Sequence, residues 1–166
     1  DFEFERKGGN LPKLIYTNGE VKDLNLKLLQ TLTEIFKRNK DLKGVDSDVM
    51  ILIPHYNYIK APIIEALEKL GKKYIDYTLD FNKRIEFSDT EVRICSYYSA
   101  RGLEGNFVLI FGFNYFEIPL IGKKKEYIIN DLGYIILSRA IYDTYFLSIS
   151  EKKERQLEFL EEVINR

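Results

Sequence analysis

The apolar positions of this chain fall into two kinds of run. One kind is short and continuous. Val49-Met50-Ile51-Leu52-Ile53 and Phe107-Val108-Leu109-Ile110-Phe111 have no polar residue between them, the pattern of strands buried on both faces. Shorter strand candidates lie at 14–16, 73–77, 92–95 and 144–149. The other kind recurs at helical spacing. Val21, Leu24, Leu28, Leu32 and Ile35 mark one helix, which follows the turn signal Asn18-Gly19. Ile63, Ala66, Leu67 and Leu70 mark a second, with Pro62 suited to its first turn and Gly71 closing it. Residues 129–141 and 151–165 read as two further helices. Residues 79–90 are polar, and 112–126 carry Gly, Pro and the run Lys123-Lys124-Lys125, so both read as loops. Strands alternating with helices predict an α/β domain with a mainly parallel sheet and helices on both faces.

Composition narrows the setting. At 166 residues, with 45% hydrophobic and 31% charged residues, the chain is expected to form one globular domain over 1–166. It opens on Asp1 and a charged stretch, which suggests a piece cut from a longer protein. No apolar run is long enough to span a bilayer. Cys95 is the single cysteine and lies in an apolar strand, so it is expected to act as a small buried hydrophobe. A chain without an internal disulfide fits a reducing compartment, and a cytoplasmic setting is expected. One His and one Cys argue against a zinc or iron–sulfur centre. The net charge of −1 leaves no overall basic face, so any contact with nucleic acid must be local or shared with another domain.

Two short segments carry candidate chemistry. The first is Ser96-Tyr97-Tyr98-Ser99-Ala100-Arg101-Gly102-Leu103-Glu104, between two predicted strands. Ligands of open α/β sheets bind at the carboxyl ends of strands, where this segment begins. Hydroxyls of Ser96, Tyr98 and Ser99 can hold backbone phosphates. Gly102 permits close approach, Arg101 supplies charge and Glu104 can accept bonds from ribose hydroxyls. The alternative is a plain polar connection with Glu104 in the first turn of a helix. The second segment is Tyr134-Ile135-Ile136-Leu137-Ser138-Arg139-Ala140. An arginine in an apolar helix needs a partner, and a structural ion pair is the alternative to a ligand contact.

In this order, the two segments resemble motifs V and VI of superfamily-one helicases of the UvrD, Rep and PcrA type. Motif V usually reads Thr-x-His-Ser-x-Lys-Gly-Leu-Glu, and motif VI Tyr-Val-Ala-x-Thr-Arg-Ala. Ser96, Tyr98, Ser99 and Arg101 stand at the Thr, His, Ser and Lys positions, and Gly102, Leu103 and Glu104 match directly. Gly105 departs from the usual aromatic residue. Pro54 and His55 stand where motif IV often has an aromatic residue and an arginine, and His55 reads better as a loop or core histidine. The resemblance implies a second RecA-like domain. Ser96, Tyr98 and Ser99 would face single-stranded DNA, while Arg101, Gly102, Glu104 and Arg139 would face ATP. Arg139 would meet the γ-phosphate and be the catalytic residue, because an arginine there stabilises charge on the transferring phosphoryl group.

The chain has no Gly-x-x-x-x-Gly-Lys-Ser/Thr loop and no acidic pair after an apolar strand. The family keeps these parts, and the Mg2+ that accompanies ATP, in an N-terminal RecA-like domain, which would be the partner of this one. The connection at 79–90 is too short for the large subdomain that many members insert. The expected function is the C-terminal motor domain of an ATP-dependent DNA helicase, inactive alone and without a membrane partner. The alternatives are a nuclease-helicase or related non-unwinding ATPase, and a degenerate α/β interaction module without nucleotide chemistry.

Overall fold

The computed structural model describes residues 12–55, 60–78, 88–100, 102–112 and 139–148. In chain order these form β1 (Lys13–Ile15), α1 (Val21–Asp41), a short 3-10 turn (Asp46–Asp48), β2 (Val49–Ile53), α2 (Ala61–Lys69), β3 (Lys73–Asp76), β4 (Glu91–Ser96), β5 (Gly105–Phe111) and β6 (Ala140–Leu147). The six strands make one sheet in the order β1-β6-β5-β2-β4-β3. Every pairing is parallel.

The α/β class and the parallel sheet follow from the alternation read in the sequence. β2 occupies the span expected from its continuous apolar run and is buried from end to end. It lies between β4 and β5, so both of its faces need apolar side chains. Val49, Ile51 and Ile53 join Val92, Ile94, Phe107, Leu109 and Tyr145 on one face of the sheet. There they meet Leu28, Leu32 and Ile35 of α1 and Ile63, Ala66 and Leu67 of α2. Met50, Leu52, Cys95, Val108, Ile110 and Phe146 form the core of the opposite face. Among the described residues both helices cover the first face. The helices expected over 129–141 and 151–165, which would cover the second, fall almost wholly outside the described residues, as does most of the expected loop at 112–126.

One correction concerns 139–141. The apolar run there reads as the end of a helix, but Arg139 precedes β6, and Ala140 and Ile141 already belong to that strand. Pairing decides the matter: Gly105 of β5 stands opposite Ala140, and Gly105 N–H donates to the Arg139 carbonyl at 3.0 Å. Strand β6 therefore begins earlier than the expected 144 and ends at Leu147.

Candidate functional site

β4 ends at Ser96, level with the end of β2, where Ser96 stands opposite Ile53. Residues 97–104 then return to the start of β5. They cross β2 on the face away from the helices, and Tyr97 and Ala100 are buried against Met50, Leu52 and Val108. Tyr97 is locked in place. Its N–H donates to the Ile53 carbonyl at 2.8 Å and its hydroxyl to the Phe111 carbonyl at 3.0 Å.

Ser96 and Ser99 close this turn upon each other. The Ser96 N–H donates to Ser99 Oγ at 2.8 Å, and the Ser99 N–H donates to Ser96 Oγ at 3.0 Å. The two hydroxyls lie 3.0 Å apart. Ser96 has no exposed surface, Ser99 is half-buried, and Tyr98 projects into solvent with 56% exposure. The serines thus hold the shape of the turn, and Tyr98 is the side chain it presents outward.

At the other end of the segment the backbone reaches the amino edge of the sheet. Gly102 adopts φ +75°, a conformation open to glycine and strained for other residues. Leu103 and Glu104 follow, with the Glu104 side chain exposed. Here the two sequence segments meet. Arg139 Nη1 donates to the Leu103 carbonyl at 3.1 Å across 36 positions of sequence. Arg139 is half-buried beside the exposed Glu104. The structure therefore brings Gly102 and Glu104, on either side of Leu103, next to Arg139, while Ser96, Tyr98 and Ser99 lie in the turn that precedes them. The two groups are joined by one tight connection, in which the Ala100 N–H donates to the Ser96 carbonyl and the Leu103 N–H to the Ala100 carbonyl, each at 3.1 Å. Arg101 lies outside the described residues. Pro54 is buried and His55 half-buried just beyond β2, and residues 56–59 after them lie outside the described residues.

A second arginine shapes this edge and was not singled out from the sequence. Arg93, inside β4, donates from Nε to the Ser47 carbonyl at 2.9 Å and from Nη2 to the Glu104 carbonyl at 2.6 Å. Burial lowers its pKa from the ordinary guanidinium value. The signal available in the sequence was a charge inside an otherwise apolar strand, Val92-Arg93-Ile94-Cys95.

Among the described residues no group of His, Cys, Asp or Glu is placed to hold a metal ion. No helix among them is long and apolar enough to cross a membrane.

No family model and no curated protein matches the chain. Among solved structures it is similar to the C-terminal domain of a possible DNA helicase from Lactobacillus plantarum WCFS1. The TM-score is 0.59 at 16% identity, and the match covers 89% of this chain and 79% of that one. At that identity the likeness is one of fold. The fold of this chain is α/β of the RecA-like type, shared with that helicase C-terminal domain.

Proposed function

We propose that this chain is the second motor domain of an ATP-dependent, UvrD-like DNA helicase. Its amino sheet edge would supply one half of a nucleotide site, and the turn at the carboxyl edge would meet single-stranded DNA. The observation that carries this reading is the junction of Arg139 with the Leu103 carbonyl beside Glu104. Two segments that resemble separate helicase motifs converge there without having been adjacent in sequence.

The residues at this edge suit a nucleotide. Glu104 is exposed and can accept hydrogen bonds from ribose hydroxyls. Arg139 has a pinned backbone, because its carbonyl takes the Gly105 N–H. Its guanidinium carries positive charge to a ligand lying against this edge without a large loss of side-chain freedom. ATP, when bound, supplies the phosphoryl group that is transferred to water, and the P-loop and Mg2+ belong to the partner domain in this reading. Arg139 would stabilise the charge that develops on that group. At the opposite edge, Tyr98 can stack on a base, as exposed aromatic side chains do in single-strand binding sites. Ser96 and Ser99 keep that turn in shape.

The test is Arg139→Ala in the full-length protein. Turnover of ATP should fall on the order of 10³-fold, while affinity for single-stranded DNA changes little. Arg139→Lys should recover little, since an ammonium lacks the planar fork. Melting curves accompany the kinetics. A lowered melting temperature with normal turnover in the folded fraction would take Arg139 out of the site.

A further inference from the structure

Arg93 stands in β4 with Met50 opposite it on one side and Ile75 on the other, and it is only 4% exposed. Val92, Ile94 and Cys95 around it have no exposed surface. A buried guanidinium is costly unless its donors are met. Its two donors described above reach carbonyls in separate segments: Ser47, in the turn before β2, and Glu104, just before β5.

The next residue, Gly105, completes the fit. A Cβ at Gly105 would lie 3.4 Å from Arg93 Nη2, 3.3 Å from Met50 Cβ and 3.1 Å from the Asp48 carbonyl. The tightest of these contacts are with the start of β2, and the guanidinium sits at the edge of the same space. Glycine at 105 therefore lets β5 approach the backbone of Asp48 closely, which keeps the Glu104 carbonyl within reach of Arg93.

We infer that Arg93 is a positioning residue for the nucleotide half-site, fixing the backbone of Glu104 and, through the adjoining Leu103 carbonyl, the stance of Arg139. This inference rests on the reading of that edge as a nucleotide half-site. Arg93 is buried and acts through the backbone it holds. Without it the Glu104 carboxylate loses its fixed base, so ground-state binding of nucleotide suffers first. Arg139 keeps its own tie to Leu103, so the chemical step suffers less.

Steady-state ATP hydrolysis by the full-length protein, at saturating single-stranded DNA, reads this directly. Arg93→Met keeps an unbranched apolar stem, suited to the buried site, and removes the hydrogen bonds to Ser47 and Glu104. KM for ATP should rise roughly tenfold, the scale expected of a modest misplacement of a binding group. Turnover should fall less than in Arg139→Ala. Arg93→Lys can reach one carbonyl and should give an intermediate KM. A merely structural arginine predicts a lower melting temperature with a wild-type KM in the folded fraction, and that result overturns the inference. Should Arg93→Met fail to fold, Arg93→Lys decides: a wild-type KM overturns the inference and a raised KM supports it. Arg139→Ala measured in parallel separates the two ideas. Normal turnover there sinks the half-site reading and this inference with it. Impaired turnover there, with wild-type KM in both Arg93 variants, sinks the inference alone.

Discussion

Lys60, Asp76 and Thr78 form an ion-paired knot where β3 leaves the sheet. Lys60 Nζ lies 2.5 Å from Asp76 Oδ2 and donates to Thr78 Oγ1 at 2.7 Å, and the Thr78 N–H donates to Asp76 Oδ1 at 2.8 Å. Burial alone would push the Asp76 carboxyl up. The hydrogen bonds from Lys60 and Thr78 outweigh it and hold the group below the usual carboxylate range. A depressed folded pKa contributes stability that is present above the unfolded value of about 4 and is lost as pH falls through the folded value. Asp76→Asn should therefore be less stable at neutral pH and show a flatter loss of stability on acidification. Urea midpoints between pH 2 and 6 test this, and parallel pH profiles for the two proteins would refute it. Cys95, in the same layer, behaves as its apolar surroundings suggested. Burial pushes its thiol up to about 12, so the thiolate form is negligible at neutral pH.

The connection between β4 and β5 shows what an element can and cannot announce in sequence. Its turn depends on the Ser96–Ser99 pair, so Ser99→Ala should leave the buried Ser96 N–H without that acceptor. The expected cost is about 1–2 kcal/mol, read as a shift in the urea midpoint of this chain. An unchanged midpoint would mean that water replaces the hydroxyl freely. The strands were legible because β2 and β5 must be apolar on both faces, and α1 because Leu28, Leu32 and Ile35 repeat at its pitch. The start of β6 was not legible. Tyr134-Ile135-Ile136-Leu137 is apolar enough for either type of element, and only the distant partner Gly105 makes 140–141 a strand. The two motifs could be seen as separate patterns, but their meeting at Leu103 and Arg139 is a tertiary fact. Arg93 went unnoticed for the same reason: its acceptors, Ser47 and Glu104, come together only once the parallel register is set.

At the scale of the molecule, the candidate DNA turn follows β4 and the candidate nucleotide edge precedes β5, joined through the Ala100 hydrogen bonds. With a net charge of −1 the chain offers few phosphate contacts. Purified alone, it should bind single-stranded DNA no tighter than about 1 µM at physiological salt, and it should not turn over ATP, since it has no P-loop. Fluorescence anisotropy and a phosphate-release assay check both. Nanomolar binding, or turnover above background, would mean that the division of labour between domains is wrong. The order of the strands has a consequence of another kind. Continuous apolar strands such as β2 and β5 are the sort that template aggregation when an edge is left open. Here both lie inside the sheet, and its described edges are β1 and β3, short strands that each begin with an exposed lysine, Lys13 and Lys73. An incoming strand would find little backbone to pair with and would meet a charge at the point of entry. The same strand order that sets the core of the sheet also keeps its stickiest strands out of reach of a second chain.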